Sequence, residues 1–160
     1  MSSVSTPASD SLSRLQLRLQ KMPPVRAMAL RVDDFDPATG LALSAPLSAN
    51  INDKGCAFGG SLCSMMTLAS WGSASLALDL AGFPEAEVYV QDSTVRYLAP
   101  LYDDLHARAR LEDGHDWAEF VRTYRNRGKA RANLCAEIHC ADGRLASSFV
   151  GRFVALRPQA

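Results

Sequence analysis

Residues 55–78 carry no charged side chain, in a chain where charged residues make up 21% of the whole. An uninterrupted neutral stretch of this length belongs where water is scarce. A bilayer span needs about 20 consecutive apolar residues, and the stretch is long enough. Its content argues otherwise. Ser61, Ser64, Thr67, Ser70, Ser73 and Ser75, with Gly59, Gly60 and Gly72, leave few large aliphatic side chains. The alternative is a helix apolar on all sides and wrapped by other elements. Small residues along it let neighbouring backbones come close. The expectation is a buried core helix and no membrane association.

The flanking sequence supplies the wrapping. Met28, Leu30 and Val32 alternate with Ala29 and Arg31, and Leu41, Leu43 and Ala45 alternate after a turn around Pro37 and Gly40. Beyond Gly82 and Pro84 the alternation returns in "EVYVQDSTVRYLAP". In "LHARARLE", Leu105, Ala107, Ala109 and Leu111 point one way, with His106, Arg108, Arg110 and Glu112 opposite. One covered face and one wet face suit an antiparallel sheet. Trp117, Phe120, Val121 and Tyr124 switch to helical spacing. Two further strands follow, one alternating from Ala130 to Ile138 and one with Leu145, Phe149 and Phe153 on a face. Ahead of all this, Leu12, Leu15, Leu19 and Met22 mark a short helix, with Asp10 or Ser11 as its cap and Pro23–Pro24 as its stop. The expected fold class is α+β: an antiparallel sheet around one long central helix, with an extra N-terminal helix. Residues 1–9 are expected to be disordered and residues 10–160 to form a single domain.

With 17 basic and 17 acidic residues, the formal net charge is zero. That gives no electrostatic argument for nucleic acid or an anionic membrane surface. Cys56, Cys63, Cys135 and Cys140 form no C-x-x-C pair, and the three histidines lie far from them in sequence. Reduced thiols, no metal and no cofactor are expected. The N-terminus lacks the basic and apolar regions of a signal peptide, so the expected location is cytoplasmic.

Burial explains the body of the neutral helix but not its start. Gly59 and Gly60 open it, although glycine inside a helix costs about 1 kcal/mol relative to alanine. Two readings are open. The pair forms a plain turn, or it exposes bare backbone N–H groups at a helix N-terminus to an anion or a developing oxyanion.

The residues at this point resemble a known family. Asn52, Gly55, Phe58, Gly59 and Gly60, as "N-x-x-G-x-x-F-G-G", resemble the motif that opens the central helix of hotdog-fold acyl-CoA thioesterases. "PLSANINDKGCAFGGSL", "WG", "QDSTVRYLAP" and "RGKAR" resemble, in order and spacing, the thioesterase-type domain at the C-terminus of YiiD-like proteins. The resemblance covers roughly residues 12–156. It implies a hotdog fold, working as a homodimer or dimer of dimers with sites between subunits. It implies hydrolysis of an acyl-CoA or acyl carrier protein thioester. No acetyltransferase-like segment precedes the matched region, so a stand-alone form is expected. A non-catalytic acyl-ligand binding module is the alternative, and a dehydratase a third, since hotdog domains serve several purposes.

The resemblance assigns Gly59 and Gly60 to an oxyanion hole, with Ser61 beside them and Phe58, at a slot where some relatives have histidine, packing against the pocket. Asn52 either orients water or the carbonyl, or closes an Asx turn in "NDKG". Thr67, seven residues after Gly60, stands where related enzymes often carry Asp or Glu. A hydroxyl holds water but does not act as a base near neutral pH. Asp92 is the expected substitute base, from across the dimer. Uninterrupted alternation gives it a face with Val88, Val90 and Leu98, and the competing reading is an ion pair with Arg96. Asp53 is a second, weaker candidate base, with a turn residue as the favoured reading. Arg127, Lys129 and Arg131, with Arg125, either meet CoA phosphates or form a solvated turn.

Overall fold

The structure, a computed structural model, describes residues 7–159. Its elements are α1 (Pro7–Gln20), α2 (Pro23–Ala27), β1 (Arg31–Asp36), β2 (Gly40–Ala45), α3 (Gly59–Leu80), β3 (Glu87–Tyr97), β4 (Leu105–Leu111), α4 (Trp117–Arg127), β5 (Lys129–His139) and β6 (Leu145–Leu156). The strands form one sheet in the order β1-β2-β4-β5-β6-β3, with every neighbouring pair antiparallel. This is the hotdog arrangement, with α3 along the inner face.

Alternation decides which side chains meet α3. Leu41, Leu43, Ala107, Ala109, Leu134, Ile138, Phe149 and Phe153 are buried on the inner face. They share one core with Leu62, Met65, Met66, Ala69 and Leu76 of α3. The opposite face of β4 and β5 carries His106, Arg108, Arg110, Arg131, Glu137 and His139, all exposed. Among the described residues no helix is long and apolar enough to cross a membrane. The sheet explains the neutrality of α3.

The N-terminal helix begins earlier than the sequence reading placed it. Residues 1–6 lie outside the described residues, but residues 7–9 form the first turn of α1, so the expectation of disorder up to residue 9 does not hold for them. Asp10 and Ser11 therefore lie inside the helix, not at its cap. α1 lies on α3. Leu15 and Leu19 are buried there, the Arg14 guanidinium donates to both Asp79 carboxylate oxygens at 3.1 and 2.9 Å, and Arg18 sits 4.8 Å from the Trp71 ring centroid. Gly72 permits this packing, since a Cβ there would come 2.6 Å from Leu41 Cδ2 and 3.3 Å from Leu15 Cδ2.

One strand departs from regular alternation. Val88 and Val90 of β3 face Ala155 and Phe153 of β6, but the register then shifts and Asp92 faces Arg152. Gln91 is the extra residue of a β-bulge. A one-residue slip sends every later side chain to the other face. Ser93, Val95 and Tyr97 consequently pair with the inward residues Gly151, Phe149 and Ser147, while Asp92, Thr94 and Arg96 turn outward.

Candidate active site

The start of α3 is held from below by a residue to which the sequence reading gave no role. Asn50 is only 3% exposed. Its Nδ2 donates to the carbonyls of Met28 and Pro46 at 2.9 and 2.8 Å, and its own carbonyl accepts from the Phe58 amide at 2.7 Å. It thus ties the N-cap of α3 to the ends of α2 and β2. Asn50 and Asn52 flank Ile51 in the sequence, and nothing local says which of the two is buried.

Between Asn50 and Phe58 the chain makes a closed excursion, with Ile51 and Ala57 bridged. Asn52 organises its tip. The Asn52 Oδ1 accepts from the amides of Lys54 and Cys56 at 2.9 and 3.2 Å, and its Nδ2 reaches the Cys56 Sγ at 3.2 Å. Gly55, at φ +80°, completes the turn. The Asx-turn alternative describes this geometry. Asp53 points outward and pairs with Lys54 at 2.8 Å.

The glycine pair follows. The Phe58 carbonyl accepts from the amides of Ser61 and Leu62 at 2.9 and 3.1 Å. The amides of Gly59 and Gly60 have no acceptor among the described residues, as the first turn of a helix requires unless a ligand or cap supplies one. No side-chain cap is present, so two donors at the positive end of a 22-residue helix are free for a ligand. Ser61 is buried in the next position.

Two aromatic rings flank these donors. A Cβ on Gly60 would lie 2.3 Å from Phe58 Cε1, so the Phe58 ring lies against the bare Gly60 backbone. A Cβ on Gly59 would lie 3.5 Å from Tyr97 Cε1, and the Tyr97 hydroxyl donates to the Gly59 carbonyl at 3.3 Å. Both rings are more than half exposed, Phe58 at 55% and Tyr97 at 56%. Ile51, Leu98 and Tyr102 are also exposed. Backbone bonds knit their segments together, from Ala57 to Leu101 at 2.8 Å and through the Ile51–Ala57 bridge. Two exposed aromatic rings therefore flank two polar donors. Burial, together with the neighbouring Cys63 thiol, pushes the Tyr97 phenol above its ordinary pKa, so it keeps its proton.

The remaining sequence candidates lie apart from this centre. Thr67 is half-buried on α3, with Cys63, Ser64, Leu68 and Trp71. Seven residues separate it from Gly60, about 10 Å along the helix axis. Asp92 does not share a face with Val88 and Val90. The bulge turns it to the outer side of the sheet, away from α3. There its carboxylate, 61% exposed, lies 3.9 Å from Arg152 rather than pairing with Arg96. The phase break has a sequence trace. Val90 and Val95 are five positions apart, an odd step, so both cannot face inward on a regular strand.

Arg127 and Lys129 flank Gly128, which ends α4 at φ +68°. Arg131 donates to Gln91 Oε1 at 3.1 Å. Lys129 pairs with Leu156, which also pairs with Glu87 at the first residue of β3. The glycine pair touches Tyr97, at the last residue of β3. Ten residue steps at about 3.3 Å put the basic turn on the order of 30 Å from the glycine pair of the same chain.

The glycine pair lies outside two clefts formed by the described residues. A cleft of about 380 Å³ opens among Phe35, Ser73, Leu111, His115 and Trp117, and one of about 320 Å³ on the outer face among His106, Arg108, Cys135, Glu137 and His139. Neither is lined by Gly59 or Gly60.

Comparison with known proteins agrees with this fold. Over 92% of this chain and 98% of the other, it is similar to a protein from Shewanella oneidensis described as a "putative thioesterase", at 30% identity and TM-score 0.79. A protein of unknown function from Chlorobaculum tepidum TLS is similar at 29% identity and TM-score 0.79, over 96% of this chain and 98% of that one. A thioesterase from Haemophilus influenzae shares the fold at 14% identity and TM-score 0.69, over 91% of this chain and 90% of that one. No curated protein matches the sequence. Residues 12–157 match the family described as "Putative thioesterase (yiiD_Cterm)", and the chain belongs to that YiiD C-terminal family.

Proposed function

We propose that the protein hydrolyses an acyl thioester of CoA or of acyl carrier protein. The observation that carries this reading is the pair of unpaired amides at Gly59 and Gly60, set between the exposed rings of Phe58 and Tyr97. A thioester carbonyl docks there. Water adds to the carbonyl carbon, and the oxygen takes up negative charge in front of the two N–H groups. The intermediate then expels the thiolate, giving a carboxylic acid and a thiol. A thiol with a pKa near 8.5 leaves without prior protonation, so the amides serve the more demanding step. One such donor is worth about 3 kcal/mol in the transition state.

A second copy of the chain completes the site in this reading. β3 is an edge strand whose residues are exposed except Val88 and Val95. The half-buried strip of α3 carries no charge, and Trp71 Nε1 donates to the Val88 carbonyl at 2.9 Å, joining strip and edge into one surface. An exposed edge of this length is a template for pairing. Antiparallel pairing of two β3 edges sets the first residues of one strand beside the last residues of the other. That carries the partner copy's basic turn toward this chain's glycine pair. Arg127, Lys129 and Arg131 then meet the phosphates of the carrier arm, a role closed to them within one chain.

Asp92 loses its place as base, because the outer face lies across the sheet from α3. Asn52 closes its own turn and Thr67 lies about 10 Å along the helix from Gly60, so hydroxide rather than a carboxylate supplies the nucleophile. The rate should then climb with pH without a carboxylate inflection between pH 4 and 7. The test is thiol release from acyl-CoAs of graded length and from acyl carrier protein thioesters, with oligomeric state measured in parallel. No hydrolysis of any substrate, or a monomer under assay conditions, would overturn this reading. Because Thr67 stands in place of a carboxylate, saturable acyl-CoA binding without turnover would identify a non-catalytic acyl-ligand module instead.

A further inference from the structure

The two donors belong to peptide units whose carbonyls point the other way. The Gly59 N–H shares its peptide with the Phe58 carbonyl, which the amides of Ser61 and Leu62 hold at 2.9 and 3.1 Å. The Gly60 N–H shares its peptide with the Gly59 carbonyl, and the side chain that holds that oxygen is Tyr97, at 3.3 Å. A planar peptide has no freedom to move one end alone. Fixing the carbonyl aims the N–H, and a hydrogen bond to the oxygen also polarises the N–H.

Tyr97 is well placed to do this without moving. It is the last residue of β3 and pairs with Ser147 of β6. Ser147 Oγ donates to the Arg96 carbonyl at 2.8 Å, and the amides of Leu98 and Ala99 both donate to the Ala146 carbonyl, at 2.8 and 3.1 Å. The backbone on both sides of Tyr97 is therefore anchored. Its ring lies on Gly59, where an added Cβ would meet Cε1 at 3.5 Å, an ordinary contact.

From this geometry we propose that Tyr97 is a positioning residue of the site, orienting and polarising the Gly59–Gly60 peptide so that the Gly60 N–H faces the developing oxyanion. This rests on the thioesterase reading above for its catalytic consequence, but not for its physical content. A carbonyl oxygen only accepts, so the phenol is the donor and must stay protonated. The Cys63 thiol beside the hydroxyl and partial burial both favour the neutral phenol.

Tyr97→Phe keeps the ring on Gly59 and removes the donor, so it separates packing from hydrogen bonding. Two readouts decide the matter. In the nitrogen–proton correlation spectrum, the Gly60 amide proton should move upfield in Tyr97→Phe, as expected when its peptide loses an acceptor-side bond. In the hydrolysis assay, kcat should fall about tenfold with KM and Tm unchanged, the pattern of a group that acts in the transition state. An unmoved Gly60 amide overturns the inference whether or not the wild type turns over. A kcat within twofold of wild type overturns it also. If the wild type hydrolyses nothing, the proposed function falls while the amide resonance still decides the role of Tyr97.

Discussion

Replacing Gly60 with alanine should separate what the fold needs from what the chemistry needs. The new methyl would come 2.3 Å from Phe58 Cε1, 2.8 Å from Cζ and 3.1 Å from Cδ1. Those distances are impossible, so the ring must leave. Phe58 is 55% exposed, and its ring can swing into solvent without disturbing the core. Gly60 does not have a positive φ, so alanine fits its backbone and reduces the freedom of the unfolded chain, a gain of up to about 1 kcal/mol. For a domain of this size that is a Tm unchanged or raised by roughly 2–4 °C. Activity should move the opposite way. A methyl beside the Gly60 N–H blocks the approach of the thioester oxygen. Loss of one such donor, about 3 kcal/mol, is roughly a 150-fold drop in kcat/KM. Gly59→Ala offers the contrast. Its methyl meets Tyr97 Cε1 at 3.5 Å, an ordinary contact, so its effect should be several-fold at most. Thermal unfolding and thiol-release kinetics on both variants make the comparison. A Gly60→Ala protein that hydrolyses within threefold of wild type would refute the assignment of this amide. A large loss of stability would mean that the glycine serves packing alone.

Asp92→Ala should leave kcat/KM within twofold of wild type, because an exposed pair with Arg152 contributes below about 1 kcal/mol and faces away from α3; a hundredfold loss would restore it as a base. Gly40→Ala should destabilise the fold by at least about 2 kcal/mol, since the methyl would stand 1.8 Å from the Ala109 carbonyl oxygen at φ +89°; thermal unfolding within 1 °C of wild type would contradict this. Asp36 accepts the amides of Thr39 and Ala38, which hold its carboxyl below the usual range. Its contribution is therefore present above the unfolded value near 3.9 and is lost as pH falls through the lower folded value. The Tm gap between wild type and Asp36→Ala should be constant from pH 7 to 5 and narrow below pH 4, and a gap independent of pH would contradict the assignment.

The fold was legible because it is written in long-range averages. A neutral stretch of helical length between alternating strands allows few arrangements, and "LHARARLE" shows its two faces without ambiguity. The start of the candidate site was legible for the same reason, since a glycine pair opening a helix needs an explanation that packing does not supply. Asp92 was misread because alternation was carried through Gln91, and a single inserted residue reverses the outcome. Asn50 and Tyr97 were missed for another reason. Their importance lies in which backbone groups they reach across the fold, Met28, Pro46 and Gly59, and those partners are distant in sequence.

The bulge at Gln91 reaches beyond the strand that contains it. Deleting Gln91 would join Val90 to Asp92 in an unbroken strand with the same partners, Phe153 and Arg152, and leave the downstream faces as they are; flattening the bulge with Gln91 kept would instead shift every later residue by one partner. With Gln91 paired to Arg152, Asp92 and Arg96 would move to the inward positions opposite Gly151 and Ser147, and Tyr97 would lift away from Gly59. Bulging out one residue without chemistry of its own, six positions from Tyr97, thus keeps the phase on which the glycine pair depends. Insertions or deletions on the sheet edge are then a route by which relatives with the same fold gain or lose the site, with no substitution in the helix that bears it.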